Sequence, residues 1–420
     1  MQNSAYENVL LELHAAKKAA RTLRSSEVSR RNEVLLNLAR KIKEFESEIL
    51  TANQKDIQAL ATDATPAFRD RLLLTKDRLQ GMGESLRQIA ALPDPLNEVV
   101  EQRTLESGIF ARRVRSALGV IFMIFESRPN VAVEAFSLAF KSGNVICLRG
   151  GKESKTTVSF FYGLMKESLT EAGFPYASMI GITDASRELV LWHLHQKRWI
   201  DVVVPRGGDR LIEFVVENSK IPIIKNDRGL CHIYVNDDAD LKGAIGIIRN
   251  AKVQRPGVCN AMETLLIHRK YAPLFLPLLY EAIPEVKWFA CPETLKIMGN
   301  RPGVEAATGK SFDTEYLDLI MNVRVVKDLD EAIEHIEKHG SHHSEAILTA
   351  NESLARRFQD EVDAAAVYWN ASTRFTDGFE MGLGGELGIS TQKLHVRGPV
   401  GLKELTSVRW IMDGKGQVRK

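Results

Sequence analysis

One cysteine-bearing loop carries the strongest sign of chemistry in the chain. In Gln254-Arg255-Pro256-Gly257-Val258-Cys259-Asn260 the cysteine follows a Pro-Gly turn and precedes an apolar run that ends at Ile267. The thiol is therefore expected in a loop, where it can meet a substrate. Only the thiolate is a good nucleophile, and Arg255 is one source of the positive field that lowers a thiol pKa. The loop predicts a nucleophilic Cys259; the alternative is a buried cysteine that packs as a small hydrophobic residue.

Two glycine pairs could contact phosphate groups. Gly150-Gly151 lies between Arg149 and Lys152, and Gly207-Gly208 follows Arg206; each pair ends a predicted strand and opens a predicted helix. Backbone N–H groups can face a phosphate there, although a Gly-Gly pair after a strand is more often only a tight turn. The G-x-G-x-x-G fingerprint of dinucleotide enzymes does not occur in the sequence. Two such pairs, each beside an arginine or lysine, favour phosphate contacts.

Two further patterns are rejected as sites. The segment from Gly303 to Ser311 resembles a phosphate-binding P-loop, but its first glycine is too distant and Arg301-Pro302 stands where a strand is required. His335 and His339 lie four residues apart on a predicted helix and could share a metal. No carboxylate or cysteine completes the set, so a solvated helix end is the preferred interpretation. No metal site is predicted.

The elements that position these residues follow from hydrophobic periodicity. Residues 29–60 are predicted to form one long amphipathic surface helix, and residues 101–115 a hairpin arm that stands apart from the core. From Leu118 onward short apolar runs alternate with helical stretches, which is typical of a doubly wound α/β domain. The predicted strands before the cysteine are residues 118–125, 145–148, 179–182, 200–204, 221–224 and 232–235. The alternation resumes after Cys259, so a second α/β unit is predicted, with the boundary near residue 240.

The C-terminal region adds a polar loop and a strand. Residues 384–399 combine glycines with Ser, Thr, Gln, Lys and Arg side chains. This composition suits a polar, anionic ligand or an ordinary ordered surface loop. Residues 406–412 alternate like a strand and are predicted to pair with the hairpin arm of a neighbouring subunit.

Composition and charge exclude several functional classes. The chain has 420 residues with an apolar fraction of 44%, enough for two or three domains with substantial cores. Lys plus Arg number 56 against 54 Asp plus Glu, which argues against a nucleic-acid-binding protein. Four cysteines without a C-x-x-C pair support neither a zinc ribbon nor a disulfide scaffold. Neither an export signal nor a membrane-spanning run is recognised, so a cytoplasmic protein is expected.

Several motifs together resemble a known family. They are, in chain order, Glu126-Ser127-Arg128-Pro129-Asn130, Lys141 to Asn144, Leu148 to Glu153, the cysteine loop, Asn370 to Gly378, and Ser390 to Pro399. On these residues the chain resembles the γ-glutamyl phosphate reductases, also called glutamate-5-semialdehyde dehydrogenases, of the aldehyde dehydrogenase superfamily. The resemblance runs along essentially the whole chain, and its Glu-Ser-Arg-Pro-Asn and Ser-Thr-Gln-Lys-Leu-His motifs are specific.

The resemblance implies an aldehyde dehydrogenase-like α/β fold of two doubly wound domains with an oligomerisation arm. An NADPH-binding, Rossmann-type domain would span residues 1–240, with the hairpin arm at about 100–116. A catalytic domain would span 241–370, and residues 371–420 would return to the cofactor domain and end in the oligomerisation strand. The implied reaction is NADPH-dependent reduction of L-glutamyl 5-phosphate to L-glutamate 5-semialdehyde, with release of phosphate, in proline biosynthesis. A homo-oligomer is expected and association with a separate glutamate 5-kinase is left open; neither nucleic acid nor membrane is an expected partner.

The resemblance also implies roles for individual residues. Cys259 would attack the acyl phosphate to form a thioester, and Asn130 would contribute to the oxyanion hole. Candidates for binding the phosphate, carboxylate and ammonium groups of the substrate are Arg128, Arg255, Arg374, Asp377 and Lys393.

The implied cofactor site combines the two glycine turns with one carboxylate. Arginine and lysine at the first turn suit the 2′-phosphate of NADPH, and a glutamate would hold the nicotinamide ribose. The implied cofactor-binding residues are Arg149, Gly150, Lys152, Gly207, Gly208 and Glu315.

One departure from the superfamily favours a reductase. Hydrolytic aldehyde dehydrogenases carry a glutamate before a Gly-Gly pair, and the corresponding segment, residues 224–229, lacks it, with Asp227 as a conceivable substitute. A reductase should lack this base, because water would otherwise cleave its thioester before hydride arrives. The alternatives are a hydrolytic aldehyde dehydrogenase, a catalytically silent scaffold of the same fold, and half of a once bifunctional kinase-reductase. The intact cysteine loop disfavours the silent scaffold, and the sequence shows no kinase-like segment.

Overall fold

The computed structural model describes residues 2–62, 64–184, 186–225 and 228–419. Its helices are α1 (Gln2–Arg24), α2 (Val28–Glu44), α3 (Glu46–Gln58), α4 (Pro66–Leu72), α5 (Lys76–Ala91), α6 (Asn130–Lys141), α7 (Lys155–Glu171), α8 (Arg187–Leu194), α9 (Asp209–Asn218), α10 (Leu241–Val253), α11 (Ala272–Ala282), α12 (Pro292–Met298), α13 (Leu329–His339) and α14 (Glu352–Glu361). Its strands are β1 (Val99–Thr104), β2 (Phe110–Ala117), β3 (Val120–Phe125), β4 (Val145–Arg149), β5 (Met179–Ile182), β6 (Val202–Arg206), β7 (Cys231–Val235), β8 (Met262–His268), β9 (Lys287–Ala290), β10 (Val304–Ala306), β11 (Ile320–Val326), β12 (Ser344–Leu348), β13 (Ala366–Trp369), β14 (Ile389–Ser390), β15 (Gly398–Pro399) and β16 (Thr406–Asp413).

The first sheet is parallel and has the strand order β5-β4-β3-β6. Every side chain of β3 is buried, as its uninterrupted apolar sequence predicts for a strand covered on both faces. The chain moves outward from β3 through β4 to β5 and then returns to place β6 on the other side of β3. The strand order therefore reverses between β3 and β6, where open α/β sheets bind ligands at the carboxyl ends of their strands.

The second sheet is also parallel, with the order β10-β9-β11-β8-β7-β12-β13. Strand β7 pairs with β8 and β12 in this sheet, so the change of sheet precedes Cys231 and the predicted boundary near residue 240 is too late. A strand buried on both faces has the same apolar sequence in either sheet, and no linker marks the change. Residues 221–224, predicted as a strand, contribute only a bridge between Ile223 and Val203.

A third, antiparallel sheet has the order β1-β2-β16. The predicted hairpin arm is formed by β1 and β2. Strand β16 pairs with β2 of its own chain, from Thr406 opposite Ala117 to Asp413 opposite Phe110. Strand β16 thus extends the arm of its own chain and lies at the edge of this sheet, and its pairing with the arm of a neighbouring subunit stays a prediction.

The N-terminal helices pack onto the first sheet and differ from the predicted single surface helix. The chain leaves helical geometry at Phe45, with φ −100° and ψ 26°, and the ring of Phe45 packs edge-on against Phe160. Helix α2 buries Val34, Leu35 and Leu38 and packs against α5 and α7. The periodicity correctly predicts helical structure in this region, but it does not predict the break at Phe45, which packing against Phe160 accompanies. None of the helices among the described residues combines the length and the apolarity needed to cross a membrane.

Candidate active site

A cleft of about 730 Å³ lies between the two parallel sheets. From the first sheet it is lined by the loops that follow β3 and β6, at the reversal of strand order. From the second sheet it is lined by the loops that precede β8 and β11, which carry Cys259 and Glu315. The predicted nucleophile thus shares one cleft with the predicted phosphate-binding turn Gly207-Gly208.

The nucleophile loop is anchored on both sides of the cysteine. Asn260 is buried, its Nδ2 donates to the carbonyl oxygen of Thr376 at 2.8 Å, and its Oδ1 accepts from Arg374. Lys252, which precedes the loop, forms a fully buried ion pair with Glu263, which follows it, at 3.2 Å. Both ends of the loop are therefore fixed by polar contacts that are shielded from water.

The peptide group of Cys259 is packed against the loop that leads into β7. A Cβ atom built at Gly229 would lie 2.7 Å from the Cα atom of Cys259 and would overlap its carbonyl group. The thiol of Cys231 donates to the carbonyl oxygen of Cys259 at 3.2 Å. The backbone N–H of Gly229 donates to Oε1 of Glu315 at 2.8 Å. Gly229 thus lets three segments of the cleft approach one another closely.

The environment of Cys259 favours the neutral thiol. Burial raises the pKa of Cys259 to about 12, and the negative charge of Glu386 adds to this rise. The cation with the largest opposing effect on this pKa is Arg206, rather than the predicted Arg255. A thiolate at neutral pH therefore requires further positive charge or a proton acceptor in the cleft.

In the part of the chain that the structure describes, six arginines line the cleft alongside seven carboxyl groups, and three of these arginines act on the charge of a fourth, Arg128. Arg128 is half-buried, and its pKa is lowered to about 10 by burial first and then by the positive charges of Arg206, Arg71 and Arg255. Among the described residues, no ion pair or side-chain hydrogen bond engages the guanidinium groups of Arg71, Arg128 or Arg255. Mutually repelling cations that lack counter-ions are suited to binding an anionic ligand.

Two carboxyl groups that line the cleft, those of Glu134 and Glu386, have raised pKa values. Burial raises the pKa of Glu134, and it raises the pKa of Glu386 to about 7. Glu386 is held by the backbone N–H of Gly378, which donates to its Oε2 at 3.0 Å, and its own carbonyl accepts from Arg206. A carboxyl group with this pKa can exchange a proton near neutral pH, so Glu386 can act as an acid or a base within the cleft.

The two glycine turns have the features of a dinucleotide site. Gly207-Gly208 ends β6 at the reversal of strand order and opens α9 inside the cleft. Beyond the cleft, a shallow depression between β4 and α7 is lined by Gly150, Gly151, Lys152 and Lys155. A Cβ atom at Gly150 would press on the ring of Phe125 at 3.2 Å, so a larger residue would disturb this turn. Two exposed lysines beside a glycine turn fit an additional phosphate.

Comparisons with known proteins identify the family. A sequence model described as the aldehyde dehydrogenase family matches residues 1–290. The γ-glutamyl phosphate reductase of Carboxydothermus hydrogenoformans is 48% identical over 416 residues, covering 98% of this chain and 100% of the relative. The chain belongs to the γ-glutamyl phosphate reductase family. The predicted family is thereby confirmed, and the chain is an oxidoreductase.

Solved structures agree with this family assignment. The crystal structure of γ-glutamyl phosphate reductase from Thermotoga maritima has a TM-score of 0.94 at 43% identity, covering 98% of this chain and 99% of that chain. An acetylating aldehyde dehydrogenase from Geobacillus thermoglucosidasius has a TM-score of 0.69 at 16% identity, covering 99% of this chain and 98% of that chain. The second likeness shows the shared fold alone. The predicted aldehyde dehydrogenase-like fold is confirmed.

Within this γ-glutamyl phosphate reductase family member, most of the predicted site residues lie in the cleft. The cleft contains Cys259, Arg128, Arg255, Arg374, Asp377, Gly207, Gly208 and Glu315. Their roles stay predictions. Asn130 lines an adjoining cavity and not the cleft that holds Cys259, and its role in the oxyanion hole stays a prediction.

Two predicted site residues lie elsewhere. Lys393 forms an exposed ion pair with Asp363 at 2.6 Å, and Arg397 pairs with the same carboxylate at 2.6 Å. The positive charge of this part of the 384–399 loop therefore faces a local acid and not the cleft. Arg149 ends β4 and does not line the depression that holds Gly150 and Lys152.

Several cleft residues were not predicted as site residues. Arg206 and Glu386 stand in segments that were singled out, but only the folded cleft shows that both bear on Cys259. Arg71 on α4 and Glu134 on α6 had no local signal. The proposed absence of a hydrolytic base depends on Asp227, which lies outside the described residues.

The histidines of α13 are not a solvated helix end. His335 is buried and packs against His339 and His232, with ring centroids 4.6 and 5.5 Å away. Burial lowers the pKa of His335 to about 2, so its ring is neutral. No cluster of three or more potential metal ligands occurs among the residues that the structure describes.

Opposite shifts in thiol reactivity are expected when the two charges that act on Cys259 are removed. Glu386→Gln removes a negative charge, so the pKa of Cys259 should fall and alkylation by iodoacetamide at pH 8 should accelerate about 3- to 10-fold. Arg206→Gln should slow it by a similar factor. The measurement is the alkylation rate of Cys259 against pH by mass spectrometry, with Cys259→Ser identifying the labelled peptide. Shifts in the same direction would contradict this electrostatic account.

Proposed function

We propose that the chain catalyses NADPH-dependent reduction of L-glutamyl 5-phosphate to L-glutamate 5-semialdehyde, with release of phosphate, as a step of proline biosynthesis. The observation that carries this proposal is the position of Cys259 in one cleft with Arg71, Arg128 and Arg255, whose guanidinium groups have no ion-pair partner among the described residues. The substrate bears a phosphate and a carboxylate, so it supplies the negative charge that these arginines lack. The names of the curated relatives support the same substrate.

The cleft residues account for the acyl-transfer half of the reaction. The sulfur of Cys259 forms a bond to the acyl carbon while the carbon–oxygen bond to phosphate breaks, which leaves a thioester and inorganic phosphate. Arginines around Cys259 neutralise the departing phosphate. Glu386, whose pKa is about 7, lines the same cleft and is the proposed acceptor of the thiol proton once the substrate is bound, whereas in the free enzyme its charge raises the pKa of the thiol. Cys259 leaves again as a thiolate when the aldehyde is released.

The residues that would hold the cofactor come from both sheets. Gly207-Gly208 and the start of α9 would contact the pyrophosphate, Glu315 the nicotinamide ribose, and Lys152 with Lys155 the 2′-phosphate. When bound, NADPH supplies the hydride that reduces the acyl carbon. A cytoplasmic location, a homo-oligomer assembled through the β1-β2-β16 arm and association with a separate glutamate 5-kinase belong to the same proposal.

The proposed reaction is tested in the oxidative direction with L-glutamate 5-semialdehyde and NADP⁺. Rates measured with and without inorganic phosphate should differ by at least about 100-fold, because only phosphate can release the acyl group from Cys259. NAD⁺ in place of NADP⁺ should lower kcat/KM. Equal rates with and without phosphate would favour the hydrolytic alternative, and an absence of turnover under both conditions would favour a silent scaffold.

A further inference from the structure

A second cavity of about 500 Å³ adjoins the cleft. The two share Arg71, Arg128, Glu134 and Arg255 in their walls, so they form one continuous space. Away from Cys259 the second cavity is walled by α4, α5 and α6. Its apolar wall is made by Leu73, Leu74, Met82, Leu86 and Val133. A ligand with an aliphatic segment and a charged end fits this combination.

Arg71 provides an uncompensated positive charge at the outer wall of this cavity. The adjacent Asp70 is taken by Arg78, whose Nη2 donates to Oδ1 of Asp70 at 2.6 Å. Within the described part of the chain, neither an ion pair nor a side-chain hydrogen bond engages the Arg71 guanidinium. Its charge instead lowers the pKa of Arg128. Arg71 is therefore free to pair with an anion that enters from the cleft.

The backbone around Arg71 is fixed by a buried amide. Asn53 on α3 is 2% exposed; its Nδ2 donates to the carbonyl oxygen of Leu72 at 2.9 Å, and its Oδ1 accepts from the N–H of Leu74 at 2.8 Å. Nδ2 also contacts Oγ1 of Thr157 on α7 at 3.3 Å. A short helix such as α4 has little stability of its own, so this clamp sets the direction in which Arg71 leaves the wall.

The two anionic groups of the substrate, its phosphate and its α-carboxylate, are expected to lie in different spaces, the cleft and the second cavity. The phosphate is bonded to the carbon that Cys259 attacks, so it must lie beside the thiol, where Arg206 and Arg374 line the cleft but not the second cavity. The α-carboxylate lies at the far end of an aliphatic chain. Of the arginines shared by the two spaces, Arg255 belongs to the nucleophile loop and Arg128 follows β3 on the cleft side, where its charge interacts with Cys259. Arg71 stands on α4, which walls the second cavity.

We propose that Arg71 binds the α-carboxylate of the substrate and thereby selects amino-acid semialdehydes over aldehydes that lack this group. The proposal rests on the proposed function and assigns a specificity-determining residue within it. When the glutamyl part of the substrate enters the second cavity, its methylene groups contact the apolar wall and its α-carboxylate reaches Arg71. The guanidinium then forms charge-assisted hydrogen bonds that an aldehyde without the carboxylate cannot make.

The test compares two substrates that differ only by the α-carboxylate, L-glutamate 5-semialdehyde and 4-aminobutanal. Both are oxidised with NADP⁺ and phosphate by the wild-type chain, by Arg71→Met and by Arg69→Met. Arg71→Met should lower kcat/KM for glutamate semialdehyde ~10- to 100-fold through KM, while the value for 4-aminobutanal and the KM for phosphate change less than about two-fold. Arg69 lies on the same helix but lines neither space, so Arg69→Met controls for loss of a positive charge on α4.

Each other outcome overturns the assignment. An equal loss for both substrates would give Arg71 a general role in the cleft, a raised KM for phosphate would place the phosphate at Arg71, and no change would remove Arg71 from binding. If 4-aminobutanal turns over too slowly, competitive inhibition by L-norvaline and by butylamine makes the same comparison. Only the inhibition by L-norvaline, which carries the α-carboxylate, should weaken in Arg71→Met. A wild-type chain without phosphate-dependent turnover would refute the proposed function instead. Thermal unfolding of each variant shows whether the fold is retained.

Discussion

Cys259→Ser is expected to lower phosphate-dependent NADP⁺ reduction by L-glutamate 5-semialdehyde on the order of 10⁴-fold or more, with little change in NADP⁺ binding. A hydroxyl group ionises far less readily than a thiol, and the environment of Cys259 already disfavours a negative charge, since burial and Glu386 both raise the pKa of the thiol. Serine in this position would have to form an alkoxide under the same constraints. The loss should therefore appear in kcat, while the cofactor contacts, which come from other segments, persist.

The experiment has a matched control within the chain. Cys291 is half-buried like Cys259 but caps the N-terminus of α12, with its Sγ accepting from the N–H of Thr294 at 3.5 Å. Serine is a good N-cap, so Cys291→Ser should keep both activity and stability. Initial rates give kcat, and fluorescence titration with NADP⁺ gives the dissociation constant. A Cys259→Ser enzyme that retained most of its activity would refute the role of the thiol.

The local pattern of the sequence predicted elements well and their partners poorly. The all-apolar run at residues 118–125 predicted a strand buried on both faces, and β3 is that strand. The run at 232–235, which is also buried throughout, was assigned to the wrong sheet, because burial on both faces does not reveal which strands lie alongside. The break at Phe45 was missed for a similar reason: contact with Phe160 joins residues far apart in sequence. Pairing and packing between distant segments are the information that periodicity lacks.

The residues of the candidate site also fall into two groups: those that local motifs predict and those whose positions depend on contacts between distant segments. Cys259 and the Gly207-Gly208 turn have residue types and spacings that suggest chemistry by themselves, and the structure brings them into one cleft. Lys393 had a suitable charge, but its pairing with Asp363 is a contact between separate segments. Arg71 carries no motif at all and reaches the cleft only because α4 is held beside it. Charge can be read from the sequence, whereas the direction of a charged side chain depends on the fold.

Gly229→Ala is expected to lower kcat about 10²-fold, the scale expected when a reacting group is displaced by about 1 Å. The added methyl group would overlap the carbonyl group of Cys259. The cysteine cannot yield easily, because its carbonyl oxygen accepts from Cys231 and the neighbouring Asn260 is buried and hydrogen-bonded. Gly229 has no positive φ, so alanine suits its backbone and the effect arises from the displaced nucleophile loop. Displacement of the backbone N–H of residue 229 from Oε1 of Glu315, to which it donates, should also raise the KM for NADP⁺.

Gly246→Ala is the matched control for this displacement, because it makes the same change on α10, the helix that leads into the nucleophile loop. A Cβ atom at Gly246 meets nothing within 4 Å, and alanine in a helix should stabilise the fold by about 0.5–1 kcal/mol. Gly246→Ala should therefore keep kcat and raise the melting temperature, while Gly229→Ala should lose kcat and show an altered alkylation rate of Cys259. If Gly229→Ala kept the wild-type kcat, the loop that carries Cys259 would have to be free to move. The buried Lys252–Glu263 pair at its ends would then not hold the nucleophile in place.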